Sequence, residues 1–192
     1  MTIILDHIDK SYGDKVVLKD FNLTVEDGKA YAITGPAGTG KSTLLGIFME
    51  RIKPDAGRVC KMGDYKYPTL HSVYVPQESS LNSKKDAIWN VKKAHRTATK
   101  KGAIEELSKF LKEESLKVPV AELTQGQQRF VEIVKAFFVP ADFVVLDEPF
   151  EGMNEQERKI ALDYVMEMTG RRPLLIAESD DRGLDFARPV RL

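Results

Sequence analysis

Apolar residues recur along this chain with two periods, and the changes of period mark its elements. Thr2 to Ile8 is apolar with a polar end and reads as a strand. Lys10-Ser11-Tyr12-Gly13-Asp14 is a turn by composition. Val16-Val17-Leu18 and Phe21 to Val25 alternate or run apolar, and Glu26-Asp27-Gly28 turns the chain again. Lys29 to Thr34 reads as a short buried strand, and Thr43 to Met49 as a helix. Lys53-Pro54-Asp55-Ala56-Gly57 breaks that helix; Arg58 to Met62 and Ser72 to Val75 return as strands. From Lys84 to about Lys117 proline is absent, and Ile104, Leu107, Phe110 and Leu111 recur at helical spacing, as do Ile88 and Val91. Two or three helices are expected there. Phe130 to Phe138 is an apolar helix, Phe143 to Leu146 a buried parallel strand, Glu155 to Met168 a helix and Pro173 to Ala177 another buried strand. Pro189 to Leu192 is a terminal stub.

A length of 192 residues suits one domain with room for a subdomain. Lys+Arg and Asp+Glu are both 29, so the overall charge points to no nucleic-acid partner. A local exception is the basic run Lys92, Lys93, His95, Arg96, Lys100 and Lys101. Without interleaved aromatics, and with glutamates following directly, it reads as a solvated helix face. The single cysteine, Cys60, can form no internal disulfide and suits a reducing cytosol. Neither a secretory signal nor an apolar run of the roughly 18 residues a bilayer span needs is present.

The chemistry gathers in a few segments. Gly35-Pro36-Ala37-Gly38-Thr39-Gly40-Lys41-Ser42-Thr43 fits G-x-x-x-x-G-K-[ST], the phosphate-binding loop, between a strand and a helix. Glycines let backbone N–H groups approach phosphates where a Cβ would block them. Lys41 reaches the β- and γ-phosphates, Ser42 offers a hydroxyl to Mg²⁺, and the helix N-terminus favours the anion. Asp147-Glu148 closes the apolar strand at the edge where doubly wound sheets present chemistry. Asp147 can hold Mg²⁺ through water, and Glu148 can orient or deprotonate an attacking water. Tyr12 offers a ring that could stack on a base, weighed against a packing tyrosine.

With these segments in place, Leu123-Thr124-Gln125-Gly126-Gln127-Gln128 supplies a resemblance. It looks like the Leu-Ser-Gly-Gly-Gln signature of ABC transporter ATP-binding subunits, placed before the Asp147-Glu148 strand as in that family. Tyr12 falls where the family has its base-stacking aromatic, and Gln77 after Val75-Pro76 matches the Q-loop glutamine, a contact of Mg²⁺ and the attacking water. The resemblance covers essentially the whole chain. It implies an α/β P-loop NTPase cassette: a RecA-like parallel-sheet core with antiparallel strands (1–78 and 123–192) and a helical subdomain (79–122). It further implies that ATP and Mg²⁺ are bound, and that a second ABC subunit, identical or not, closes head to tail so that Thr124, Gly126 and Gln127 meet the partner's γ-phosphate. Transmembrane permease subunits would dock on the helical insertion at the inner face of the cell membrane, with a substrate-binding protein as a further partner in importers of the nitrate, sulfonate and taurine type.

Gln125 replaces the first glycine of the signature, a mild departure, and two further positions matter more. Asn154 stands for the aspartate that ends the segment after the Asp147-Glu148 strand, and Glu178 stands where the switch histidine is expected. A histidine can donate to the γ-phosphate; an ionised Glu178 cannot. Three outcomes are open: Ser179 takes over, Glu178 is protonated or turned away, or hydrolysis is slow. The principal expectation is a transport ATPase. The alternative is a hydrolysis-impaired half paired with an active paralogue.

Overall fold

The computed structural model describes residues 2–63 and 70–192; Met1 and residues 64–69 of the expected 1–78 core lie outside the described residues. Two sheets share the chain. β1 (Thr2–Tyr12), β2 (Lys15–Glu26) and β4 (Ala56–Met62) form an antiparallel sheet in the order β2-β1-β4, with β3 (Ala30–Thr34) and α1 (Lys41–Phe48) between β2 and β4 in the chain. The second sheet adds β5 (Ser72–Val75), β6 (Phe143–Asp147), β7 (Leu174–Glu178) and β8 (Arg188–Arg191), all parallel, in the order β5-β6-β7-β3-β8. Its connections carry α2 (Ala87–Lys92), α3 (Lys100–Leu107), 3-10 turns at Glu113–Leu116 and Val120–Glu122, α4 (Gln125–Phe137) and α5 (Glu155–Thr169).

Strand alternation divides the interior into two cores. Val144, Leu146, Leu174 and Ile176 face the core made with α2 to α5, whereas Phe143, Val145, Leu175 and Ala177 face α1 and the antiparallel sheet. Both faces of β6 and β7 are therefore buried, which explains their unbroken apolar runs. Phe130 of α4 anchors the first core, stacked on Phe110 at 4.2 Å between centroids and edge-on to Tyr164 at 5.4 Å.

The expected turn at Lys10-Ser11-Tyr12 is instead ladder. Lys10 pairs with Leu18, Ser11 with Val16 and Tyr12 with Lys15, so the reversal falls at Gly13-Asp14. Asp55 holds this end by accepting from Lys10 Nζ at 2.8 Å and from the Ser11 N–H at 2.7 Å. Val16–Leu18 and Phe21–Val25 are one strand, bent where Asp20 adopts φ 47°. The stub at the C-terminus is a true edge strand, with Val190 opposite Ile33. β3, β6 and β7 end on the same edge of the sheet, and this edge carries the phosphate loop, Asp147-Glu148 and Glu178.

Candidate active site

The loop after β3 is built for close approach. Gly40 has φ 108°, and a Cβ there would lie 2.3 Å from Val17 Cγ1, so only glycine fits. It is the residue before α1, whose first turn opens with Lys41 and carries no acidic side chain. Lys41 is only 6% exposed; its Nζ donates to the carbonyls of Gly35 at 2.7 Å and Pro36 at 3.3 Å and lies 3.2 Å from Glu148 Oε1. The ammonium thus sits at the floor of a polar cleft of about 290 Å³. Tyr12, half-exposed beneath Lys10, stands on its rim with Gln77 and Glu148, so three segments distant in sequence meet around the loop.

Ser42 and Asp147 meet beneath the loop. Asp147 is 1% exposed, one oxygen interacts with the Ser42 hydroxyl, and Oδ1 is buried without a hydrogen-bond partner. Burial pushes its carboxyl above the usual carboxylate range and the Ser42 hydrogen bond pulls it back. One hydroxyl beside one carboxylate with an unused oxygen is a fitting protein donor set for Mg²⁺, which takes its other ligands from phosphate and water. Glu148 follows at φ 46°, strained backbone for a residue with a side chain. Its Oε2 accepts from the Ser179 N–H at 3.3 Å while Oε1 faces Lys41. The carboxylate is therefore held from both sides at the cleft wall.

Glu178 does not occupy the place its register suggested. Its Oε1 accepts from the Phe150 N–H at 3.3 Å, its Oε2 lies 3.5 Å from Arg158 Nη1, and the residue is 4% exposed. It lines an adjoining cavity with Arg158, Asp180 and Glu148, the last of which also lines the cleft of Lys41. Of the three outcomes left open, the structure shows the carboxyl turned away, with the Ser179 backbone facing Glu148 in its stead. Burial, followed by the nearby Glu148 charge among the raising causes, pushes Glu178 up to about 7; Arg158 and the Phe150 N–H oppose it. Asn154 caps α5, accepting from the Glu157 N–H at 2.9 Å, a role asparagine fills as well as aspartate.

Thr124, Gly126 and Gln127 lie outside that cleft, at the start of α4. Thr124 Oγ1 accepts from the Gln127 N–H at 3.2 Å and Gln127 Oε1 accepts from the Thr124 N–H at 3.1 Å, a reciprocal capping box. The helix therefore begins at Gln125, five residues before the expected Phe130. Gly126 is buried, and a Cβ there would lie 3.1 Å from the Gly152 carbonyl.

Arg129 was missed by sequence reasoning. Its guanidinium donates to the carbonyls of Pro76 at 2.8 Å, Asp147 at 2.9 Å and Glu148 at 2.7 Å, with Gln77 O at 3.4 Å. One side chain thereby ties the glutamine loop to the end of β6. The available signal was an arginine directly before the apolar run that opens at Phe130.

The sequence profile described as ABC transporter matches residues 18–151. The chain belongs to the ABC transporter family. It is 32% identical over 170 residues to a sulfate/thiosulfate import ATP-binding protein of Synechocystis, covering 83% of this chain and 48% of that protein. A taurine import ATP-binding protein of Pseudomonas aeruginosa is 31% identical over 186 residues, covering 90% of this chain and 70% of that one. The chain thus spans about half of the first relative and more of the second. Among solved structures, a dimeric ATP-binding cassette in a post-hydrolysis state with ADP and Pi superposes with a TM-score of 0.81 at 24% identity, covering 99% of this chain and 94% of that one. That likeness shows the ABC cassette fold: the parallel sheet, the antiparallel sheet and the helices around them.

Proposed function

We propose that this ABC cassette binds MgATP, pairs head to tail with a second ABC subunit, and couples ATP hydrolysis to transport by membrane permease subunits. The observation that carries the reading is the convergence of Lys41, 3.2 Å from Glu148, with Ser42 on one polar cleft, and of Asp147 buried beside Ser42. In this reading the backbone of Gly35 to Thr43 and Lys41 hold the β- and γ-phosphates, and the Tyr12 ring stacks on the base. Ser42 and Asp147, with Gln77 at the cleft mouth, would hold Mg²⁺, which would supply charge neutralisation for the phosphates. Glu148 takes a proton from the attacking water as its oxygen bonds to the γ-phosphorus; the bond to the β-bridging oxygen breaks, leaving ADP and phosphate. The Lys41 and Ser179 contacts fix the direction in which that carboxylate presents itself. Thr124 Oγ1 accepts within the capping box, so its O–H proton remains available to a phosphate presented by the partner subunit.

Residues 79–122 serve as the helical subdomain of a single cassette, and the protein works at the cytoplasmic face of the membrane. An importer of sulfur-containing oxyanions is the finer reading supported by the sulfate and taurine relatives. Steady-state phosphate release by the purified chain, beside Glu148→Gln, tests the chemistry. Loss of a general base predicts at least about a 100-fold fall in turnover with ATP affinity retained. Equal turnover in the two proteins refutes the assignment of Glu148.

A further inference from the structure

Charge is distributed unevenly over this neutral chain. Seven of the 18 residues from 84 to 101 are Lys or Arg and one, Asp86, is acidic, so this stretch carries +6 and the remainder −6. All seven cations are exposed, and none is ion-paired with a carboxylate among the described residues. Two of the next three cations along the chain are paired: Lys109 with Glu106 at 2.9 Å and Lys117 with Glu113 at 2.7 Å. Asp86 is itself engaged as the cap of α2, accepting from the Trp89 N–H at 2.6 Å.

The same stretch holds the only tryptophan of the protein. Trp89 is half-buried, with Lys85 Nζ and Lys93 Nζ each 5.9 Å from its ring centroid. Lys85 stands just before α2 and Lys93 caps its end, so the two ammonium groups approach the Trp89 ring from the two ends of the helix. The opposite side of α2, through Ala87 and Val91, is buried in the core. The outer side is therefore a fixed surface with an indole among unneutralised ammonium groups. Tryptophan with flanking lysines is the composition of the headgroup layer of a membrane, where the ring takes the interface and the stems reach the phosphates. Single-stranded nucleic acid is held by successive aromatic platforms, and this surface has one.

We propose that the outer face of residues 84–101 is a docking surface for anionic lipid headgroups, seated by Trp89 and its flanking cations. The inference goes beyond the coupling reading and does not need a permease, since it concerns contact with the bilayer itself.

Protein-free vesicles of phosphatidylcholine, with and without phosphatidylglycerol, test it on the purified chain. Expected are co-sedimentation with the anionic vesicles alone, a blue shift of Trp89 fluorescence on binding, and reversal of both by high salt. Lys85→Gln, Lys93→Gln and Arg96→Gln combined should lower partitioning about 100-fold, at roughly five-fold per cation near an anionic leaflet. The triple variant should keep wild-type ATP turnover, because these side chains lie away from the cleft. Should it fail to fold, the Trp89 shift and its salt reversal in the wild-type protein decide alone. Equal binding to neutral vesicles, an anionic-vesicle interaction without a Trp89 shift, or displacement from vesicles by equimolar single-stranded RNA would each overturn the proposal.

Discussion

Replacing Glu178 by glutamine should remove a calculable part of the pH dependence of the protein's stability. In the fold, burial holds the Glu178 carboxyl near 7 against an ordinary 4.5. Below about pH 4.5 the group is protonated whether the chain is folded or not, and contributes no pH dependence. Between 4.5 and 7 the unfolded chain has released this proton while the folded chain retains it. The folded state then binds more protons, so stability falls as pH rises. Above 7 both states are ionised and the loss is complete. At about 1.36 kcal/mol per pH unit, the cost across this window is about 3 kcal/mol. Glu178→Gln keeps an oxygen for the Phe150 N–H and removes the titration. Urea unfolding of both proteins at pH 5 and pH 8 should therefore show the variant gaining roughly 2–3 kcal/mol on the wild type between the two conditions, the first part of the cost falling below pH 5. Subtracting the proteins cancels every other titrating group that the substitution leaves alone. A gap that stays constant with pH would refute the argument, by showing that Arg158 keeps Glu178 ionised throughout.

Three further outcomes follow from single contacts. Arg129→Met should cost about 3 kcal/mol in urea unfolding, since buried carbonyls of the glutamine loop and the β6 end lose a charged donor, and should lower turnover more than ATP affinity. Phe130→Ala removes the ring between Phe110 and Tyr164, and a loss of about 3–5 kcal/mol is expected by chemical denaturation. Tyr12→Ala should weaken ATP roughly ten-fold in an equilibrium titration while Tyr12→Phe changes little, because stacking needs the ring and not its hydroxyl.

What the sequence made legible is what obeys a local rule. The glycines and Lys41 are readable because a backbone that wraps phosphate tolerates few other spellings, and β6 and β7 are readable because burial on both faces leaves no polar position before the carboxylates that end them. The start of α4 obeys such a rule too: Thr124 and Gln127 stand three apart, the capping-box spacing, although the apolar run at Phe130 drew attention away from it. Arg129 and Glu178 obey none. Each is decided by partners brought from 18 to 53 residues away: Asp147, Glu148 and Pro76 for the arginine, Phe150 and Arg158 for the glutamate. Register alone aims Glu178 at the phosphate, since it ends a strand beside Thr34. The half-buried Arg158 guanidinium and the Phe150 N–H on the other side draw it away, and neither is visible until the turn after Glu148 has folded. The substitution of a histidine by a glutamate thus changes what the position holds: a contact expected with substrate becomes an internal tie between β7, α5 and the loop after β6. That exchange leaves Glu148 facing Lys41 and the Ser179 backbone N–H, and it places the Glu178 carboxyl against the Phe150 N–H and Arg158.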